Sequence, residues 1–168
     1  MGFATTEGAA HVVQAAALEV RGTTSSAFNA EAATNVAIGA YSVSGTAMKT
    51  SGVGGCLGIV MHRRGATRGG VGHAFDHAGN TQQSVPAAKT MVNQMIAGLG
   101  GNSANLDLLL FNGGGIDNAT FLKSGFIAWV LAKGWMSIQD KSARTTGTMA
   151  TSSFVLYYPQ NGLAYIQG

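Results

Sequence analysis

Cysteine, proline and charge are all scarce in this chain, and each scarcity excludes something. The single cysteine, Cys56, rules out an internal disulfide and any metal cluster built on several thiolates, and a lone thiol suits a reducing compartment. With only two prolines, Pro86 and Pro159, no proline-rich linker divides the sequence. Charged residues make up 10% of it, well under the usual ~25%, while hydrophobic residues make up 46%, the reverse of what keeps a chain disordered. The hydrophobic residues are dispersed: no apolar run reaches the ~18 residues of a transmembrane helix, so no membrane insertion is expected. Met1 to Thr6 carry no basic stretch with an apolar one after it, so no secretory leader is expected and the expected compartment is the cytoplasm. The net charge of +3 rests on ten cations against seven anions. Arg63, Arg64 and Arg68 are its one local cluster, with no aromatic residues between them. That pattern predicts a solvated hairpin tip and no nucleic-acid partner.

Glycine, 25 residues of 168, fills the gap together with serine, threonine and alanine. The length suits one domain. Residues 1–34 read as an N-terminal extension, with a short helix over His11–Val20 and a loop at Gly22–Ser26; residues 35–168 carry the sharper signals. Val36, Ile38, Tyr41 and Val43 suit a strand bent at Gly39. Cys56–Met61 is an apolar run of strand length, and Gly69–Phe75 reads as its returning partner across the arginine turn. Ser84 and Pro86 suggest a helix start, followed by a stripe at Ala88, Met91, Val92, Met95, Ile96 and Leu99. Leu106–Phe111 is a buried strand. A second helix, capped by Asn118, runs on through Phe121, Leu122, Phe126, Trp129 and Val130 to Gly134. Trp135–Gln139 is a strand, and Ser153–Tyr158 with Leu163–Gln167 forms a terminal hairpin. Strands with two inserted helices predict an α/β fold, mixed β-sheets packed centrally with flanking helices.

Chemistry concentrates around Cys56. A nucleophilic thiol needs a base, access, and donors for an oxyanion. Gly54 and Gly55, immediately before Cys56, leave the backbone N–H groups open to a substrate carbonyl. His73 lies on the next strand, where the hairpin can bring the imidazole to the thiol, and the Thr50 hydroxyl can orient the ring. Taken alone, a single cysteine is more often a small buried hydrophobe, and a single strand histidine more often structural.

The run Thr50-Ser51-Gly52-Val53-Gly54-Gly55-Cys56-Leu57-Gly58-Ile59 resembles the signature of the CheD family of bacterial chemoreceptor glutamine deamidases. Thr50 stands six positions before Cys56 and His73 seventeen after it, the spacing of that family's catalytic Thr, Cys and His. Gly69-Gly70-Val71-Gly72-His73 is similar to its histidine strand. Val36–Ser44, Val85–Leu99 and Leu108–Gly115 follow its element order, so the resemblance covers about residues 35–168. It implies a CheD-like cysteine hydrolase fold and a protein-glutamine deamidase with Cys56 as nucleophile, His73 as base, Thr50 as orienter and no cofactor or metal. The implied partner is a protein presenting a glutamine, such as a chemoreceptor or another signalling protein. The same Cys-His core occurs in cytotoxic necrotizing factors, which implies as an alternative a toxin or effector deamidase acting in a host cytoplasm. The chain departs from the pattern at Gly55, where the family has serine, at Arg63-Arg64, where an aspartate is common, and at Arg144–Gly147, which lacks the family's Gly-Gly-Asn.

Two further readings stand beside it: a catalytically idle interaction module using the same glycine-rich groove, and a cysteine peptidase sharing the dyad. The remaining polar residues carry plainer expectations. His62 reads as exposed. Asp76 and His77 lack a third metal ligand, and Gly113–Gly115 lacks the Lys-Ser/Thr of a phosphate loop, so it reads as a tight turn. Trp129 and Trp135 read as packing residues.

Overall fold

The structure, a computed structural model, describes residues 17–112, 119–122, 124–141 and 153–167. Its first half runs β1 (Glu19–Thr23), α1 (Ser25–Ala30), β2 (Thr34–Asn35), β3 (Tyr41–Ser44), β4 (Met48–Thr50), β5 (Leu57–Arg63) and β6 (Arg68–Ala74). The second half runs α2 (Thr81–Gly98), β7 (Leu106–Phe111), α3 (Ala119–Leu122), α4 (Phe126–Leu131), β8 (Ser137–Lys141), β9 (Val155–Tyr158) and β10 (Leu163–Gln167). The strands form two five-stranded sheets, β1-β10-β9-β4-β2 and β3-β6-β5-β7-β8. Both are mixed: β1 with β10, β2 with β4 and β7 with β8 run parallel, the other pairs antiparallel. The fold is α/β with the sheets in the middle and helices outside, as the element order predicts.

Alternation along the strands divides the core. Val60, Val71, Leu109, Phe111, Val155 and Tyr157 point into the space between the sheets. Ile59, Met61, Leu108 and Leu110 point the other way, onto the α2 stripe and onto Phe121, Phe126 and Val130 of α3 and α4. Phe28 of α1 covers the outer face of the first sheet with Leu156, Leu163 and Tyr165. Strand β5 is thus buried on both faces, which is why its sequence is a continuous apolar run. Gly58 permits the closest approach in it: a Cβ there would lie 2.1 Å from the Phe111 ring. Gly58→Ala is therefore expected to cost about 3 kcal/mol by overpacking, read as a lower denaturant midpoint at unchanged slope.

Several boundaries differ from expectation. Residues 17–34 are no appendage to a domain starting at 35: β1 pairs with β10 from Glu19↔Leu163 to Thr23↔Gln167, and Leu18 and Phe28 are buried in the core. The helix expected over 11–20 lies mostly outside the described residues, and its end is strand. Helix α2 is capped by Asn80, whose side chain accepts the Gln83 N–H at 3.1 Å, and not by Ser84, which is buried. Its first turn is polar and exposed, so the apolar stripe begins a turn late. The second helix is two short ones, broken at Gly125 with φ +79°. Its expected cap Asn118, the Gly113–Gly115 turn and the Arg144–Gly147 loop lie outside the described residues. Strand β8 starts at Ser137 because Trp135 is held on α4, its indole N–H donating to the Val130 carbonyl at 2.8 Å.

His62 is buried, not exposed. It lies on the inward face of β5, and its Nδ1 meets the Tyr157 hydroxyl of the other sheet at 2.6 Å. Arg64 is likewise more than a solvated tip residue: it folds back onto buried Asp107, with Nη2 2.9 Å from Oδ1. Among the described residues no helix is long and apolar enough to cross a membrane.

Candidate active site

Thr50 and His73 come from different sheets and meet between them. Strand β4 turns Met48 and Thr50 inward, and β6 turns Val71 and His73 inward; both polar side chains are fully buried. The Thr50 Oγ1 lies 2.8 Å from His73 Nδ1. The same hydroxyl donates to the Val36 carbonyl at 2.8 Å. A threonine hydroxyl has one hydrogen, so towards the ring it can only accept, and Nδ1 must carry the proton. The neutral imidazole therefore presents a bare lone pair at Nε2. That nitrogen is buried and has no hydrogen-bond partner among the described residues. Burial alone lowers the His73 pKa from its ordinary value, so the ring rests neutral.

Cys56 sits in the bend leading into β5. His73 pairs across the hairpin with Gly58, two residues beyond Cys56. Cys56 packs with Val60 and Val71 in the inter-sheet core, and His73, two residues after Val71 on β6, turns towards the same space. No hydrogen bond joins the thiol to Nε2. Phe111 is seated over Gly58, the residue that pairs with His73. Cys56 is 7% exposed, at the margin of the inter-sheet core beneath a glycine loop whose Gly52 and Gly54 are exposed. Burial raises the thiol pKa; the Asp76 backbone N–H opposes this and the Asp76 carboxylate adds to it. The resting pair is thus a neutral thiol and a neutral imidazole.

The glycine loop is anchored by the Val53 N–H, which donates to the Ser153 carbonyl at 3.0 Å. The expected oxyanion donors divide. The Gly54 N–H is bonded to the Gly52 carbonyl at 3.0 Å, so Gly54 lines the entrance but does not offer its N–H in this conformation. The N–H groups of Gly55 and Cys56 are the remaining candidates.

Asp76 is the member of the site that spacing does not point to. It follows His73 by three residues, just past the end of β6, where it suggests at most an incomplete metal site. In the fold the turn after β6 returns to the glycine loop. Among the described residues no group of three or more His, Cys, Asp or Glu is placed to hold a metal ion. The one available sequence signal is Gly55 itself, a missing side chain next to Cys56, which leaves space for another group.

No family model matches the sequence, and no curated protein matches it. Among solved structures, the crystal structure of Neisseria meningitidis protein NMB0706, described under the family model DUF152, is similar over 76% of this chain, at 15% identity and a TM-score of 0.42. The match spans 64% of that protein, less than two thirds of its length.

Proposed function

We propose that this chain is a cysteine-dependent protein-glutamine deamidase. The observation that carries the reading is the bare, buried Nε2 of His73, its tautomer set by Thr50, on a ring turned towards the inter-sheet space where Cys56 packs. The motif resemblance adds the substrate class, a glutamine on an exposed segment of a partner such as a chemoreceptor.

The chemistry follows from these atoms. Nε2 takes the thiol proton as the sulfur attacks the carboxamide carbon, so a neutral resting pair becomes charged only in the reaction. The carbonyl oxygen gains negative charge and is held by the Gly55 and Cys56 N–H groups, a contribution of about 3 kcal/mol per donor. The carbon–nitrogen bond breaks as the imidazolium returns its proton to the departing ammonia, leaving a thioester. The same Nε2 then takes a proton from water, which attacks the thioester. The sulfur leaves as thiol, and glutamate remains.

The test is incubation of the purified chain with blocked glutamine-containing peptides and receptor fragments, read by ammonia release and by mass. Wild type is expected to release ammonia with the mass gain of one amide-to-acid conversion, and Cys56→Ala to release none while keeping its thermal unfolding profile. Unchanged release by Cys56→Ala rejects the reading. Cleaved peptide in place of the mass gain assigns the dyad to a peptidase.

A further inference from the structure

A deamidase must distinguish two side chains of one shape. Glutamine and its product glutamate are isosteric, so pocket size cannot separate them, and an apolar wall separates isosteres poorly. Charge is the remaining handle, and the site has a fixed charge at the right place.

Asp76 is half-buried at the rim. Its Oδ2 lies 2.6 Å from where a Cβ on Gly55 would stand, so the carboxylate occupies the space left by the missing side chain directly before the nucleophile. Its Oδ1 accepts the Ala78 N–H at 3.2 Å, which fixes the side chain to its own turn. That turn is strained: His77 and Ala78, neither of them glycine, have φ of +48° and +56°. Consecutive left-handed residues of this kind persist only where their surroundings impose them. The ion pairs among the described residues, Arg21 with Glu19 and Arg64 with Asp107, lie elsewhere and leave the Asp76 charge uncompensated by a salt bridge.

We infer that Asp76 is a charge filter: its carboxylate, seated against Gly55 directly before Cys56, admits neutral carboxamides and excludes anionic side chains. The inference rests on the deamidase reading for its substrate. A glutamine side chain enters without penalty. Hydrolysis of the thioester then creates a carboxylate beside a carboxylate, which favours release of the product and disfavours its return. Asp76 acts as a specificity-determining residue; it takes no proton from the thiol.

The test needs no turnover. Cys56 is alkylated with iodoacetamide, a neutral carboxamide, and with iodoacetate, its anionic counterpart; in each case the sulfur displaces iodide. The ratio of the two rates at one pH cancels any change in thiol ionisation, because both reagents consume the same thiolate. Asp76→Asn keeps an acceptor for the Ala78 N–H, and the iodoacetate-to-iodoacetamide ratio is expected to rise about tenfold over wild type. Gly55→Ala, whose added Cβ displaces the carboxylate while φ stays outside the left-handed region, is expected to shift the ratio in the same direction and provides the test if Asp76→Asn is unstable. Ratios within about twofold of wild type in both variants overturn the filter, since by Coulomb's law a nearby charge must discriminate between them. A wild-type thiol that neither reagent modifies in the folded protein also overturns it. A shifted ratio in a protein that releases no ammonia rejects the deamidase reading and keeps the filter; ammonia release with an unchanged ratio does the opposite.

Discussion

His73→Gln protein is expected to release ammonia about a thousandfold more slowly than wild type, near the middle of what a positioned general base contributes. Glutamine keeps a side-chain N–H that can still reach the Thr50 hydroxyl, so the bridge between the sheets can persist while the basic lone pair is lost. Thr50→Val acts one step removed: it leaves the imidazole but removes the acceptor that sets its tautomer, and a loss of about ten- to a hundredfold is expected, as for other groups that orient a histidine. The double variant is expected to be no slower than His73→Gln alone, because residues that act as a unit are not additive. The pH profile separates this role from a structural one. The base must be unprotonated, and burial holds the His73 pKa below its ordinary value. Activity is therefore expected to persist as pH falls through ~6.5, with the acid limb lying below that ordinary imidazole value. A limb centred above it, or a His73→Gln rate close to wild type, would show that the imidazole is not the base.

Asp107→Ala is expected to destabilise the fold by about 2–4 kcal/mol, mainly the cost of leaving buried donors without their charged acceptor. At roughly 2–4 °C per kcal/mol this lowers the melting temperature by about 4–16 °C. Asp107 is 1% exposed and gathers donors from distant parts of the chain: the Leu18 N–H at 2.9 Å, Arg64 through Nε and Nη2, and the Ser137 hydroxyl. Removing the carboxylate leaves the Leu18 N–H without its acceptor, so β1 loses an anchor, and releases Arg64, at the β5–β6 tip, from β7. Burial pushes the Asp107 carboxyl up, but Arg64, Ser137 and the Leu18 N–H together outweigh it and hold the carboxyl below the usual value. A depressed carboxyl stabilises the fold above its unfolded pKa, and that contribution is lost as pH falls below ~3.9. His62 and His73 are depressed as well, so the unfolded chain binds protons first and stability also declines as pH falls through ~6.5. Urea unfolding across this range is expected to show a midpoint declining in both windows. Asp107→Ala is expected to lack the lower one.

Much of this architecture is legible without coordinates where the signal is local. The β5–β6 hairpin follows from two runs around an arginine-rich turn, and the register that sets His73 opposite Gly58 follows from the length of that turn. The α2 stripe and the β9–β10 hairpin are local too. The spacing of Thr50, Cys56 and His73 is readable too, but it singles them out only through its resemblance to a known family. What escapes is what distant segments decide. Glu19–Thr23 has weak strand character of its own and becomes a strand by pairing with β10 near the other end of the chain. His62 looks polar and terminal, yet strand parity turns it towards Tyr157 of the other sheet.

The order of residues by itself determined which residues form the candidate site and which strands carry Thr50 and His73, because turn length and alternation act over a few residues. Tertiary structure alone decided their state. Two sheets had to close before the Thr50 hydroxyl, held by the Val36 carbonyl, could set the His73 tautomer. The turn after β6 had to fold back before Asp76 could reach the gap at Gly55. Proton positions and local charge depend on which atoms meet in three dimensions, and neither pair is brought together by a run of neighbouring residues.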